Sequence, residues 1–420
     1  MDDNYTAPEG GIVCNMTSYR YTFWNHQLKV LPNYIDPKAI DLLMLSLAVY
    51  GADRIFLRKN AIDGWKRRIH IHLPVLEIEH MNEKKELIKQ ILNFLTGDEW
   101  KITFRQRDYT KKEAKYRNTI EKGKKSRIST KRACMFSGGL DSFIGAIDLL
   151  EENNEDIIFV SHYGGGKGVR EYQKLLQAEL VRKYKIDNER FFSFFAAPPS
   201  GKENTMRSRS LMFFSHAIAL SSCFEGIIDL IVPENGYISL NIPLTYSRLG
   251  SSSTRTTHPY YMSMLQKLLN DLGLKIQIVN PYQFKTKGEM VIECKNQNFL
   301  KKNISKTMSC SHPDLGRMRG ESETRHCGTC LPCVIRRAAL KKADYVNDSI
   351  YYDPDFTSGD TASTNLNSYL LGIQKYDEDK AYLSIQMSGP LFKNLDQYES
   401  VYKRGVEEMK FFLEQYYETD

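Results

Sequence analysis

From about residue 128 to 342 the chain alternates short β-rich apolar runs with apolar residues at helical spacing, and this alternation restricts the fold more than any other feature. Residues 133–136, 157–160, 191–195, 227–232 and 276–279 are each apolar runs of strand length. Between the second and third, Val169, Tyr172, Leu175, Leu176 and Leu180 recur at helical spacing, and 211–223 reads as a buried helix. Right-handed crossovers then predict an α/β fold with a doubly wound parallel sheet over 126–345. Its ligand crevice should lie beyond the carboxyl ends of the strands. Residues 1–125 read as a separate, added α+β domain, with extended segments at 19–24, 68–73 and 100–104 and helices at 37–49 and 82–95. Residues 109–132 carry ten Lys or Arg against two acidic residues, which predicts a solvated, mobile linker. The alternative is a basic patch for a phosphate-rich partner. Residues 346–420 form a C-terminal extension that opens as a loop and ends in an amphipathic helix at 401–417.

Function should sit in the turns after the strands, and the first turn is the most informative. Ser137-Gly138-Gly139-Leu140-Asp141-Ser142 follows an apolar run and precedes a helix carrying Phe143, Ile144, Ile147 and Leu150 on one side. Glycines there let backbone N–H groups close around an anion, and the helix N-terminus adds its positive dipole end. The turn is neither a Walker A loop nor a G-x-G-x-x-G fingerprint. It reads as a phosphate cradle for a nucleotide, with an ordinary serine N-cap as the plain alternative. Asp141 and Ser137 are both expected in an exposed turn.

Four of the eight cysteines crowd together as Cys310 and Cys327-Gly328-Thr329-Cys330-Leu331-Pro332-Cys333. Four thiolates satisfy tetrahedral Zn²⁺ with no further ligand, which predicts a closed structural site. An iron–sulfur cluster is the competing reading, and the fourth cysteine at ferredoxin spacing is missing. His312 and His326 stand near enough in sequence to be substitute ligands.

At 41% hydrophobic and 26% charged the composition is that of a globular chain, and a net charge of +7 is only mildly basic. The longest apolar stretches, such as 42–50, fall far short of the ~20 residues of a membrane span. Met1-Asp2-Asp3-Asn4 is acidic with no apolar h-region. The expectation is a soluble cytoplasmic protein without a membrane partner.

The turn at 137–142 resembles the PP-loop of the ATP pyrophosphatase superfamily, whose fold is that of the adenine nucleotide alpha hydrolases and whose members cleave ATP between its α and β phosphates. Together with the Cys-Gly-x-Cys-x-x-Cys, preceded by Thr307-Met308-Ser309-Cys310, it resembles QueC, the 7-cyano-7-deazaguanine synthase family. Tyr163-Gly164 looks like that family's nucleoside-side motif, Ser208-Arg209-Ser210-Leu211 like its Arg-Asn step, and Lys285-Thr286-Lys287-Gly288-Glu289 like its Lys-x-Glu helix start. Departures are clear too. Ser210 replaces the usual Asn, and Ser253-Thr254-Arg255-Thr256-Thr257-His258-Pro259-Tyr260 replaces the family's Tyr-Pro-Asp-Cys-Arg segment. The enlarged ends are similar to the QueC-like proteins of bacterial anti-phage systems, such as QatC.

The resemblance implies ATP, Mg²⁺ and Zn²⁺ as cofactors and adenylation of the carboxylate of 7-carboxy-7-deazaguanine. Ser137, Gly138, Gly139, Leu140 and Ser142 would hold the pyrophosphate, with Tyr163 and Gly164 on the nucleoside side. Asp141 would hold Mg²⁺ or orient the phosphates, and Lys287 and Arg209 would stabilise charge at the α-phosphate. Glu234 and Asn235 are expected to read the deazaguanine edge, and His258 either donates to substrate or braces a turn. The implied acceptor is the amine of a partner protein from the same defence operon, with ammonia and the housekeeping nitrile synthase, as a homodimer, as the alternative. Nucleic acid is not an expected partner. A tRNA-thiolating enzyme would need a catalytic cysteine, for which only Cys134 and Cys223 offer themselves. A non-catalytic nucleotide-binding scaffold is the third class, and the intact turn argues against it.

Overall fold

A computed structural model of the 420-residue chain describes all residues except 1–7, 10, 15–18, 25, 124–127, 153–155, 165–166, 198–200, 204, 244–254, 319, 321–322, 346–349 and 418–420. The acidic start and Ser253-Thr254 lie outside the described residues. The N-terminal region supplies β1 (Arg20–Tyr21), α1 (Pro37–Ile55), β2 (Arg68–Val75), α2 (Ile78–Glu83), α3 (Lys85–Thr96), β3 (Glu99–Gln106) and α4 (Lys111–Lys122). There follow β4 (Arg132–Met135), α5 (Leu140–Glu152), β5 (Ile157–Tyr163), α6 (Lys167–Tyr184), β6 (Phe191–Ala197), α7 (Arg209–Ser221) and β7 (Ile228–Ile231). The middle region ends with α8 (Gly236–Leu240), α9 (Pro259–Asp271), β8 (Ile276–Val279), α10 (Lys287–Glu293), α11 (Gln297–Asn303), α12 (Leu315–Met318) and α13 (Leu331–Lys342). The C-terminal helices are α14 (Asp360–Gln374), α15 (Ala381–Ser388) and α16 (Leu395–Leu413).

The main sheet has the order β1-β6-β5-β4-β7-β8, and every pair among β4 to β8 is parallel. All five predicted strands are present. Strand order runs outward in both directions from β4, so β4 and β7 flank the switch point where a doubly wound sheet binds its ligand. The turns after β4 and β7 carry Ser137 to Ser142 and Glu234-Asn235.

The N-terminal region is not the separate domain that the sequence suggests. β1 extends the main sheet by pairing antiparallel with β6, Arg20 opposite Ala197. α1 opens with Asp36 accepting from the Lys38 N–H at 2.9 Å and Pro37 at its first turn. It is buried on nearly every side because it lies between β2 and α7, and one hydrophobic core runs from Leu43 and Trp100 through Phe214 to Val160. β2 and β3 form their own two-stranded parallel sheet over this layer. Polar groups reinforce the join. Asp53 and Asp98, both buried, meet Arg67 at 2.5 and 2.6 Å, and Asp98 also meets Arg58 at 2.9 Å. The Ser208 hydroxyl donates to Asp53 at 2.6 Å, and Arg207 donates to the Thr96 carbonyl at 2.8 Å. The residues just before α7 are thus held by the N-terminal layer.

Two further expectations change. Much of the supposed linker is a helix: α4 is closed by a capping box between Thr110 and Glu113, and the buried Glu113 pairs with Arg107 at 2.7 Å. The loop expected after 346 contains α14 and α15, and α16 starts at Leu395, before the predicted 401. The Ser/Thr/Asn-rich α14 has weak intrinsic propensity. Tertiary packing of Ala362, Tyr369 and Ile373 into a core shared with α8, α13 and α16 overrides it. Among the described residues no helix is long and apolar enough to cross a membrane.

Removing one carboxylate from the Asp53–Asp98–Arg58–Arg67 network leaves buried guanidinium uncompensated. Asp98→Ala is expected to cost about 3–5 kcal/mol in urea unfolding. A loss below about 1 kcal/mol, the range of surface ion pairs, would contradict the network's buried character.

Candidate active site

β4 ends at Met135 and the chain turns through Ser137, Gly138 and Gly139 into α5. Gly138 has φ +84°, a left-handed value, and a Cβ there would stand 2.9 Å from the Gln173 side chain, so only glycine suits the turn. The Ser137 hydroxyl accepts the Gly139 N–H at 3.3 Å and lies 3.0 Å from the Ser142 hydroxyl. The Gln173 amide donates to Ser137 O at 3.0 Å and His162 O at 3.1 Å, tying the turn to α6 and β5. Ser137 is exposed, as expected. Asp141, which the sequence places in an exposed turn, is buried at 5% exposure.

Asp141 is buried because two distant segments, the start of α10 and the turn after β7, converge on it. Lys287, the first residue of α10 and itself only 4% exposed, brings Nζ within 2.5 Å of Asp141 Oδ1. Asn235 donates its side-chain amide to Oδ2 at 2.7 Å and its backbone N–H at 3.2 Å. Burial pushes the Asp141 carboxyl up, but the Lys287 charge and hydrogen bonds from Glu234, Lys287 and Asn235 outweigh it and hold Asp141 below the usual carboxylate range. Glu234 is driven well above its ordinary value, first by burial and then by the adjacent Asp141 charge. The structure thus brings Asp141, Lys287, Glu234 and Asn235 into one cluster at the switch point. Asp141 Oδ2 takes both Asn235 donors and Oδ1 faces the Lys287 ammonium, so Asp141 is arranged to hold Lys287.

The other expected residues divide. Asn235 does not offer its side chain to a ligand: Oδ1 caps α8 by accepting from Ile238 N at 2.9 Å, and its amide serves Asp141. Of the two readings of His258, the structure shows the one that braces a turn. Fully buried, it accepts the Tyr260 N–H at Nδ1, 3.1 Å, as N-cap of α9, and its Nε2 lies 3.2 Å from the Ser388 hydroxyl. Burial first and then Arg255 lower its pKa to about 3, and it braces the junction where Phe94, α9 and Gly389 meet. Arg209 begins α7, and among the described residues its guanidinium makes no hydrogen bond or ion pair. Its charge is felt at His162 of β5, where burial first and then this charge lower the imidazole's pKa. Tyr163, buried at the end of β5, stacks beneath the Arg170 guanidinium at 4.5 Å, and a Cβ on Gly164 would meet nothing within 4 Å. Cys134 and Cys223 are fully buried and burial raises both thiols, so neither is a nucleophile.

The four clustered cysteines converge, with all their sulfurs within 4.8 Å of one another. Cys310 and Cys330 sulfurs are 3.9 Å apart and those of Cys327 and Cys333 3.8 Å. A zinc tetrahedron with bonds of ~2.3 Å has edges of ~3.8 Å, so the residues fit that ion. Backbone N–H groups of Cys327 and His312 donate to the Cys310 sulfur at 3.2 Å, as thiolate ligation favours. His326 is not a ligand here: its Nε2 accepts the Ser309 N–H at 3.2 Å. Ser309, next to Cys310, is the residue that sequence reasoning undervalued. Its hydroxyl accepts the Leu140 N–H at 3.1 Å, and the neighbouring Met308 N–H donates to Gly138 O at 2.8 Å, so the cysteine segment packs onto the phosphate turn. Its place in Thr307-Met308-Ser309-Cys310 was a visible signal, whereas nothing in the sequence marked Gln173.

Residues 255–344 match the family model described as queuosine biosynthesis protein QueC. No curated protein matches the chain. The QueC segment contains Lys287 and all four cysteines, and the turn at 137–142 precedes it. QueC similarity, with the turn and sheet that complete the site, supports a PP-loop enzyme that uses ATP. The QueC segment and the phosphate turn should fail together: Cys330→Ser is expected to lower the zinc content from about one ion per chain and the Tm together, and to weaken ATP binding through Ser309. Metal analysis, calorimetric melting and ATP titration check this; full zinc and an unchanged Tm would contradict it.

Proposed function

We propose that this protein is a QueC-like ligase that adenylates the carboxylate of a 7-deazaguanine and passes the acyl group to an amine, most plausibly of a partner protein in anti-phage defence. The observation that carries the reading is the Asp141–Lys287 pair beside a strand–turn–helix phosphate cradle at the sheet's switch point.

In this reading ATP enters as its Mg²⁺ complex, as substrate. The N–H groups of Gly139 and Leu140, now held by the Ser137 and Ser309 hydroxyls, are the donors for phosphate oxygens at the N-terminus of α5. A carboxylate oxygen of the deazaguanine attacks the α-phosphorus, and the bond to the β-phosphate bridging oxygen breaks to release pyrophosphate. Lys287 and Arg209 offset the charge that grows on the α-phosphate. An unprotonated amine then attacks the acyl carbon, AMP leaves with the electron pair of the C–O bond, and the amine nitrogen loses its proton. A protein α-amine, with pKa near ~7.7–8.0, keeps roughly 10–15% of its population unprotonated at pH 7, far more than a lysine side chain does.

Exposed Leu383, Met387 and Phe392 on and after α15 support a protein partner, since clustered apolar surface marks such contacts. The continuity of the N-terminal region with the sheet core favours the second reading, an ordinary nitrile synthase whose extra segments support its own fold.

Ser137→Ala and Lys287→Ala are each expected to cut ATP-to-AMP turnover at least about 100-fold while the protein stays folded; unchanged turnover in either would remove the PP-loop assignment. Co-expression with neighbouring genes and intact-mass analysis should find a partner heavier by one deazaguanine acyl group. Free nitrile from 7-carboxy-7-deazaguanine and ammonia, with every partner unmodified, would establish the second reading instead.

A further inference from the structure

The C-terminal extension reaches the crevice through α16. Glu408, buried at 3% exposure, projects from α16 onto the start of α10. Its Oε1 accepts the Thr286 hydroxyl and its Oε2 accepts the Gly288 N–H at 3.2 Å. One turn earlier, Arg404 pairs with both oxygens of Glu289, at 2.5 and 3.2 Å, and donates to Phe284 O at 2.8 Å. Thr286 and Glu289 are the two halves of the α10 capping box, and Lys287 lies between Thr286 and Gly288.

These contacts limit how α10 can begin. A hydroxyl has one proton; Thr286 gives it to Glu408, which leaves its lone pairs for the Glu289 N–H at 3.2 Å. The approach is close because residue 288 is glycine: a Cβ there would stand 2.5 Å from Glu408 Oε1. Lys342 of α13, 3.6 Å from the same oxygen, balances the buried charge. A helix of only seven residues holds its first turn poorly without such partners.

We propose that Glu408 and Arg404 are positioning residues for Lys287, so that α16 fixes the first turn of α10 and thereby places the Lys287 ammonium against Asp141. The consequence for ATP turnover rests on the function proposed above; the geometry does not. A family enzyme without this C-terminal helix must hold the same lysine by other means, and here the extension is part of the active site's framework.

The test uses the full chain and reads Lys287 directly. Lysines are acetylated with a water-soluble active ester, and the rate at Lys287 is followed by peptide mass spectrometry, with exposed Lys267 as internal reference. Glu408→Gln keeps the shape but turns an NH₂ toward one of the two donors, Thr286 or Gly288. It is expected to speed Lys287 acetylation about tenfold relative to Lys267, as the lost charge-assisted hydrogen bond raises local opening. Arg404→Gln, which leaves the buried carboxylate in place, should act in the same direction, and the exposed neighbour Glu407→Gln should have no effect. The same two variants should lower kcat for ATP about tenfold with KM nearly unchanged, and Glu408→Gln should add nothing in a Lys287→Ala background. Unchanged Lys287 acetylation in folded Glu408→Gln and Arg404→Gln, or equal acceleration at every lysine, would overturn the proposal. Changed acetylation with turnover indifferent to Lys287→Ala would instead remove the functional reading and leave the positioning intact.

Discussion

A lysine ammonium and an aspartate carboxylate buried against each other at the switch point of the sheet are the constraint around which this site is organised. Removing both charges from water is costly, and the pair persists only where its remaining hydrogen-bonding capacity is met and its geometry is fixed. Asn235 supplies two donors to Asp141, and the Asp141 charge beside Glu234 disfavours a second negative charge there. A pair so assembled keeps the Lys287 cation fixed in one place; in the proposed function this would spare reorganisation as charge grows on the α-phosphate.

Each part of the chain holds one element of that site. The N-terminal layer grips Ser208 through Asp53 and so sets the start of α7, where Arg209 stands. The cysteine cluster holds Cys310, and with it Ser309 and Met308 against the phosphate turn. α16 holds the start of α10. His258 joins Phe94 of α3, its own α9 and Ser388 at the end of α15, and so braces the turn before α9. Terminal regions that look like appendages in the sequence are therefore built into the framework, while Leu383 and Phe392 stay exposed on its surface.

The strands of the main sheet, the phosphate turn and the four-cysteine set were legible because each has a local signature: apolar runs of strand length, glycines between a strand and a helix, and C-x-x-C spacing. The extended segment at 19–24 contains β1, but its pairing with β6 was not legible, since two residues carry no signal of which strand they will join. α4 was hidden by its charge, which reads as a linker until Thr110 and Glu113 are seen to cap it. The burial of Asp141 was misjudged for a related reason: a glycine-rich turn is exposed by default, and only the arrival of Lys287 and Asn235 from distant segments encloses it.

By itself the sequence determined the α/β class, the glycine-containing strand–turn–helix and a set of cysteines suited to zinc, because these depend on neighbours within a few residues. Tertiary structure alone decided which charges meet, that Asn235 and His258 serve the protein's own helices, and that the two terminal regions belong to one framework with the sheet. Such outcomes depend on burial and on contacts between residues more than a hundred positions apart, as between Asp141 and Lys287 or Thr286 and Glu408, and no local pattern encodes which partner a buried polar group will find.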